Sequence, residues 1–335
     1  MVAGKRRLAR MIVICIGAAV VTASVIWFGW YRSRLSPPLA KVRIAAPLLP
    51  GSALLLLAQE QGFFRGHGLE VQLTLRATGK DCLDLLLAHE VDLAQVYITP
   101  IAAATAQGHR LEIFTELHHA ERSTAMVIRR DRIANEGDLG GKRIGFHPGT
   151  STAFLLDLML ATATSFRKAV SKIPMPADEI AKTLREGGLD AGVLWEPYVS
   201  MLVAEAPATF AAFYCPFYTE FSLLVGLADG LSQQHEVLHR VLASLIDAEE
   251  FAQREPARVQ TLLRTTLGEH GLGVPNLHWD QYFWELGLSA TLMTMLEQES
   301  AWVKNQGIGS THFAKQMVKV SPYLYDLRPQ ARRSQ

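Results

Sequence analysis

The chain opens with one long apolar run and then, from residue 41, alternates short apolar segments with amphipathic ones. Within the twenty residues 11–30 the polar members are Thr22 and Ser24. In a helix rising about 1.5 Å per residue, a run of this length covers about 30 Å, the thickness of a bilayer's hydrocarbon core. Basic residues precede the run, and Trp27 and Trp30 lie towards its far end. This pattern predicts a transmembrane helix at 11–30 with a cytoplasmic basic tail at residues 1–10.

A cleaved signal peptide is the alternative interpretation of the same segment. Val21-Thr22-Ala23 is an acceptable cleavage site, but the apolar run continues seven residues past Ala23. This continuation favours an uncleaved anchor. Residues 31–40 then form a short linker, and Pro37-Pro38 stops any helix within it. Either form predicts that the rest of the chain is exported.

From residue 41 the pattern predicts strands and helices in alternation, which favours parallel sheets with helices on both faces. The predicted strands are 41–46, 70–75, 92–97, 111–117, 124–129, 143–146, 190–194 and 221–226. The predicted helices are 53–61, 81–89, 101–107, 152–161, 176–186, 233–254, 256–267, 279–283, 286–306 and 312–318. Ser52 and Asp81 are expected to cap the helices that begin beside them. The last five helices make the C-terminal region helical.

Composition excludes some classes of protein. With 335 residues, 49% hydrophobic and 19% charged, the chain can bury a substantial core and does not resemble a disordered protein. Six of its basic residues lie within residues 1–34, which contain no acidic residue, so the rest is mildly acidic. The absence of a basic stripe there argues against a nucleic-acid partner. Cys82 and Cys215 are interpreted as buried free thiols, with a disulfide between them as the alternative.

Signatures of catalysis and of metal binding are absent from the sequence. It contains no phosphate-binding loop, no dinucleotide-binding glycine motif after the first strand, and neither H-E-x-x-H nor G-x-S-x-G. His118 and His119 are adjacent on a predicted strand, so they point to opposite faces and lack a third ligand at useful spacing. The acidic residues form no convincing pair for acid–base chemistry. We therefore expect neither an enzyme nor a bound cofactor or metal.

Loops at the carboxyl ends of the predicted strands are the candidate ligand contacts, because open α/β sheets bind ligands there. The strongest is Gly149 to Thr152, where three hydroxyls and the first amides of a helix favour an anionic group. Each loop has a structural alternative, such as a capped helix start, a solvated turn or a packed aromatic ring. The candidate ligand-binding residues are Leu49, Ser52, Lys80, Tyr97, Thr99, His118, Gly149, Thr150, Ser151, Thr152, Trp195 and Glu196.

A series of sequence blocks, in a fixed order, carries a family resemblance. The blocks are Ala58 to Phe64 with Gly68 to Val71, Glu90 to Ala94, Asp138 to Gly145 with Gly149-Thr150, Gly188 to Ala191 with Trp195 to Tyr198, and Leu286 to Trp302. Over residues 41–307 the chain resembles ABC-importer binding proteins of the nitrate/sulfonate/taurine type. That superfamily also includes proteins similar to the thiamine-pyrimidine-precursor synthases.

The resemblance implies a type II periplasmic-binding-protein fold with two lobes, each a mainly parallel sheet flanked by helices. Lobe one would comprise residues 41–121 and 221–335, and lobe two 122–220, with hinge crossings near 120–128 and 218–224. A small molecule would bind between the lobes and favour the closed form, which a membrane permease would recognise. The resemblance also implies a monomer on the periplasmic side of the bacterial inner membrane, held there by the N-terminal helix.

The ligand and the partner stay open at the level of sequence. No arginine is placed to clamp an oxyanion bidentately, so a partly aromatic or neutral-to-cationic ligand at Tyr97, Trp195 and Glu196 is an alternative to sulfonate or nitrate. A membrane-anchored ligand sensor acting on a partner chain is a second functional hypothesis. A synthase-like enzyme is a third, although its relatives resemble a chemistry built on histidine and clustered cysteines, and the cysteines here are isolated.

Overall fold

The computed structural model describes residue 27 and residues 38–162, 169–230, 234–273 and 279–309. The predicted transmembrane helix at 11–30, apart from Trp27, and the predicted helix at 312–318 lie outside these residues. In the part of the chain that is described, no helix combines the length and the apolar character needed to cross a membrane. The chain divides into the units 1–40 and 41–335, and the fold described here is that of the second.

Two sheets form among the described residues. Strands β1 (Ala40–Pro47), β2 (Leu69–Arg76), β3 (Leu93–Tyr97), β4 (Leu111–Ala120), β10 (Glu220–Leu227) and β11 (Tyr282–Phe283) make the first sheet, in the order β11-β4-β10-β3-β1-β2. The second sheet has the order β7-β6-β8-β5-β9 and comprises β5 (Thr124–Arg129), β6 (Arg143–Phe146), β7 (Ser171–Pro174), β8 (Ala191–Trp195) and β9 (Phe210–Phe213).

The helices lie between these strands along the chain, except the last, which follows β11. In chain order they are α1 (Ala53–Glu60), α2 (Phe63–Gly66), α3 (Gly79–Leu87), α4 (Ile98–Ala106), α5 (Ser151–Thr162), α6 (Ala177–Arg185), α7 (Tyr198–Glu205), α8 (His235–Arg254), α9 (Pro256–Glu269) and α10 (Ala290–Asn305). The prediction of a helical C-terminal region is confirmed for the described residues. Two sheets flanked by helices are also what the sequence predicts.

The chain crosses between the sheets twice, and this explains why both sheets are mixed rather than mainly parallel as predicted. It leaves the first sheet after β4, enters the second at β5, and returns from β9 to β10. Because β10 re-enters at the end where β4 leaves, Glu220 pairs with Ala120 and the two strands run antiparallel. Strand β10 is also antiparallel to β3, whereas β1 pairs with β3 in parallel. In the second sheet β6 pairs in parallel with β7 and β8, and β5 is antiparallel to β8 and β9.

Three local predictions are wrong. The Ser52 hydroxyl does not cap α1 but donates back to the Pro47 carbonyl oxygen at 2.5 Å, within a 3₁₀ turn. Asp81 is the third residue of α3, and Thr78 is the cap: the Asp81 amide donates to the Thr78 hydroxyl and the Thr78 amide to the Asp81 carboxylate. Residues 279–283 form a 3₁₀ turn and strand β11 instead of a helix.

The cysteine prediction agrees with the structure. Cys82 and Cys215, the cysteines within the described residues, are both buried and unpaired. Burial raises the pKa of the Cys82 thiol well above its ordinary value, which keeps it protonated and unreactive.

Candidate functional site

A cavity lies where the strand ends of the first sheet meet those of the second. It is partly open to solvent and has a volume of about 20 Å³. Leu49, Thr78, Gly79, Lys80, Tyr97 and Pro100 follow strands β1, β2 and β3 and line one side. The other side consists of Thr150 and Ser151 after β6 and of Trp195 at the end of β8, with Glu220 at the second crossing. Both sheets therefore contribute a wall, as required of a site that closes on a ligand.

Tyr97 and the start of α3 form the wall on the side of the first sheet. Tyr97 ends β3 and is buried. Gly79 lies flat against its ring, since a Cβ built on Gly79 would stand 2.8 Å from Tyr97 Cδ2. Lys80 follows, and its Nζ donates to Asp84 Oδ2 at 2.6 Å on the exposed surface of α3. The capping box between Thr78 and Asp81 fixes the backbone at the start of α3, which forms this wall.

The wall on the side of the second sheet is the start of α5. Gly149 has φ +73°, a left-handed conformation that glycine adopts at little cost, and it turns the chain into the helix. The Thr150 hydroxyl donates to the His147 carbonyl oxygen at 2.8 Å, and Thr152 Oγ1 accepts from the His147 amide at 2.9 Å. Thr152 is consequently occupied within the turn. Ser151 remains beside Thr150 at the cavity.

Trp195 is placed at the cavity by the end of β8. Its ring lies 5.7 Å from that of His147, centroid to centroid, and its side chain is 6% exposed. The indole Nε1 is buried and has no protein hydrogen-bond partner. An indole N–H is a donor only, so this position suits an acceptor atom of a bound molecule.

Glu220 is the functional group that sequence reasoning misses. It is buried at the start of β10, where its carboxylate accepts from the hydroxyls of Ser123, Thr124 and Ser151, the last two at 2.9 Å. Burial raises the pKa of Glu220, and the three hydroxyl bonds act in the opposite direction. Ser123 and Thr124 belong to the first crossing and Glu220 to the second. The carboxylate therefore connects both crossings with the wall of the cavity.

The structure brings together at the cavity Leu49, Lys80, Tyr97, Thr150, Ser151 and Trp195 from the predicted set. Six other predicted residues do not line it. Ser52 and Thr152 bond within their own turns, and Gly149 acts through its backbone. Thr99 is buried on α4 and donates to Glu299 of α10.

His118 and Glu196 are buried and do not line the cavity. His118 is fully buried on β4 and stacks on Tyr282 at 5.1 Å, and burial lowers its pKa to about 3, so it is neutral. Glu196 is also buried, where it accepts from the amide and the hydroxyl of Ser200 at 2.9 and 2.8 Å. Burial raises the pKa of Glu196 to about 7.

Within the described ranges no cluster of three or more histidine, cysteine, aspartate or glutamate side chains could hold a metal ion. His119, on the opposite face of β4 from His118, is instead 2.5 Å from Glu116 Oε1 and stacks on Phe283. Thr78, Gly79, Pro100 and Glu220 line the cavity without having been predicted. The sequence signal that could have identified Glu220 is its position as an acidic residue directly before the apolar strand predicted at 221–226.

The fold is that of periplasmic binding proteins. The chain superimposes on the periplasmic aliphatic sulphonate binding protein SsuA of Escherichia coli with a TM-score of 0.69 and 18% identity, over 83% of this chain and 97% of that one. For the periplasmic nitrate-binding protein NrtA of Synechocystis PCC 6803 the TM-score is 0.63 at 13% identity, over 88% and 90%. The desulfurization enzyme DSZB also matches, with a TM-score of 0.66 at 16% identity, over 87% and 99%.

The sequence itself places the chain in a family. Residues 50–266 match the family described as NMT1/THI5 like, and the chain belongs to it. A putative binding protein of Brucella abortus (strain 2308) is 25% identical over 213 residues, 62% of this chain and 65% of that protein. A putative aliphatic sulfonates-binding protein of Bacillus subtilis (strain 168) is 28% identical over 152 residues, 44% of this chain and 46% of the relative. The match therefore spans less than two thirds of the length of these relatives.

Proposed function

We propose that the chain is an extracytoplasmic solute-binding protein of an ABC importer, which captures a small molecule by closing its two halves. The observation that carries the proposal is the cavity lined from both sheets and joined by two crossings, because a ligand touching both walls stabilises the closed form. The names of the matched relatives and structures support a binding role.

The proposal extends to the placement of the chain and its partner. Lobe one is assigned to residues 41–121 and 221–335 and lobe two to 122–220. We assign residues 11–30 to a membrane anchor, the remainder to the periplasmic side of the inner membrane, and the closed monomer to recognition by an ABC permease. A sensor acting through another chain would use the same cavity and the same closure, and it differs only in the partner.

An enzymatic role is the competing proposal, since DSZB and a putative thiamine biosynthesis protein of Haemophilus influenzae are among the matched proteins. The cavity of this chain favours binding instead. Cys82 and Cys215, the described cysteines, are buried and do not line it. The Ser151 hydroxyl donates to a carboxylate rather than to a histidine, so it lacks the base that activates a nucleophilic serine.

Alanine at Thr150, Ser151 or Trp195 is expected to weaken whichever solute binds. The Thr150 and Ser151 hydroxyls donate within the protein, so each can accept one hydrogen bond from the ligand. Loss of one such bond costs about 1 kcal/mol, roughly a fivefold loss of affinity, and loss of the Trp195 indole costs more. The full chain is screened by thermal shift against sulfonates, nitrate, bicarbonate, amines and pyrimidines, and hits are measured by calorimetry. Thr162→Ala makes the same chemical change at the exposed far end of α5 and serves as the control. Unchanged affinity in all three cavity variants would remove the site assignment.

A further inference from the structure

One buried carboxyl group lines the cavity, and two others are linked to residues beside it. Glu220 forms part of its wall, Glu196 adjoins Trp195 in the chain, and Glu299 bonds to Thr99, the neighbour of Pro100. The three are 4%, 2% and 1% exposed, so water screens them little. Because burial raises the pKa of Glu196 to about 7 and that of Glu299 to about 8, Glu220 is the carboxyl group that places a negative charge at the cavity, where it favours a positively charged ligand.

Two positive groups of the described chain lie at the cavity: Lys80 and the N-terminus of α5, whose first residue, Ser151, bonds to Glu220. Among the described residues that line the cavity, Lys80 is the one basic side chain, and no arginine takes part. Lys80 is 42% exposed and its Nζ is paired with Asp84 at 2.6 Å, so solvent screens its charge. The N-terminus of α3 carries Asp81 in its capping box, which offsets that end of the helix dipole.

The Glu220 carboxylate retains capacity for one more donor. An ionised carboxylate has about four acceptor positions, and the hydroxyls of Ser123, Thr124 and Ser151 occupy three. Because Glu220 also lines the cavity, a ligand nitrogen bearing hydrogens or a positive charge can take the remaining position. Such a charge-assisted contact is about twice as strong as a neutral one.

Aromatic rings complete the arrangement. Tyr97 and Trp195 line the cavity from opposite sheets, and the faces of both ring types attract cations, most strongly when the site excludes water. Leu49 and Pro100 add apolar surface that keeps water out. The buried indole N–H of Trp195 provides a donor for a ligand oxygen.

We propose that this cavity takes a small organic cation, with its positively charged nitrogen against Glu220 and between Tyr97 and Trp195, in preference to a free anion. The proposal rests on the proposed function, because it names the ligand class of the same site. It departs from the sulfonate and nitrate that appear in the names of the matched structures. Glu220 is the residue that sets this preference, and Trp195 adds selectivity for a ligand that also carries oxygen.

The test is calorimetric titration of the full chain with matched probes. Choline is compared with 3,3-dimethylbutan-1-ol, its neutral isostere, and tetramethylammonium, guanidinium and imidazolium are compared with nitrate and methanesulfonate. At least one cation is expected to bind about tenfold or more tightly than the neutral isostere and both anions, the factor expected of one charge-assisted contact. The comparison needs no variant, so it does not depend on how a substitution folds.

Substitutions then test which residue sets the preference for cations. Glu220→Gln keeps the shape of the side chain and removes the charge, and it is expected to reduce cation affinity about tenfold. Glu297→Gln changes an exposed carboxylate on α10 and should preserve the preference for cations. Cation binding that Glu220→Gln leaves unchanged would overturn the role of Glu220.

The titration results distinguish failure of the cation inference from failure of the proposed solute-binding function. Tighter binding of nitrate or methanesulfonate than of every cation, with sensitivity to Thr150→Ala, would overturn the cation inference and leave solute capture standing. If no probe of either charge binds, while the chain is folded by circular dichroism, the cation inference is overturned and the solute-binding function loses its support as well.

Discussion

Replacing Glu299 by glutamine is expected to stabilise the protein at neutral pH by roughly 3 kcal/mol and to leave it unchanged at pH 4. Glu299 is buried between α4 and α10, where burial, opposed by the Thr99 hydroxyl bond and aided by the Glu220 charge, raises its pKa to about 8. Because the folded-state pKa lies above the unfolded-state pKa of about 4.5, the folded protein holds this proton more tightly. The contribution of Glu299 to the free energy of unfolding is therefore fully present below pH 4.5 and is lost as the pH rises towards 8.

Glutamine keeps the oxygen that accepts from Thr99 and removes the titration. Urea denaturation of both proteins at several values between pH 4 and 9 measures the free energy of unfolding directly. Glu297→Gln, on the exposed side of the same helix, is the control and should follow the wild type throughout. A constant difference between wild type and Glu299→Gln across this pH range would contradict the assignment of a neutral, buried Glu299.

Replacing Gly192 by alanine is expected to destabilise the protein by about 1 to 3 kcal/mol through overpacking. Gly192 lies on β8, and a Cβ at this position would stand 2.4 Å from Ile180 Cγ2 and 3.2 Å from Leu184 Cδ1. Both are buried side chains of α6, so the helix would have to move away from the sheet. Because β8 ends at Trp195, this movement should also disturb the cavity wall.

Gly268→Ala is the matched control for Gly192→Ala. Gly268 lies within α9, where an added Cβ meets no atom within 4 Å. Alanine favours a helix over glycine by up to about 1 kcal/mol, so this variant should be neutral or slightly more stable. Equal effects of the two substitutions in thermal denaturation would show that α6 does not pack on β8 at this glycine as described.

Much of the fold is predictable from the sequence because it rests on local patterns. Strand β10 is an apolar run buried on both faces, and α6 has a charged face and a buried face. Strands β7 and β9 lie at the two edges of the second sheet, and the mostly exposed residues of β7 give no apolar pattern that predicts a strand. The antiparallel pairs of β5 and β10 are unpredictable from alternation alone, since they follow from the two crossings between the sheets.

The candidate site is half predictable for a similar reason. Loops after strands are recognisable, and they supply Tyr97, Ser151 and Trp195. The sequence does not show which group a hydroxyl will bond to. The Thr99 hydroxyl donates to the carboxylate of Glu299, 200 positions away in the chain. Glu220 depends on partners 97, 96 and 69 positions away, so its role appears only once both crossings are in place.

The central claim is that the two halves close on the ligand. The most direct test is to measure the distance between a spin-labelled cysteine on each half as ligand is added. Glu90 and Lys182 are exposed positions on opposite sides of the cavity, one after α3 and one on α6, and Cys15→Ser removes the cysteine of the N-terminal segment. Double electron–electron resonance between spin labels at these positions should show a shorter and narrower distance distribution when ligand is bound. The Thr150→Ala variant should need a higher ligand concentration to reach the same bound fraction. A ligand that binds tightly in the wild type and leaves the distance distribution unchanged would contradict capture by closure.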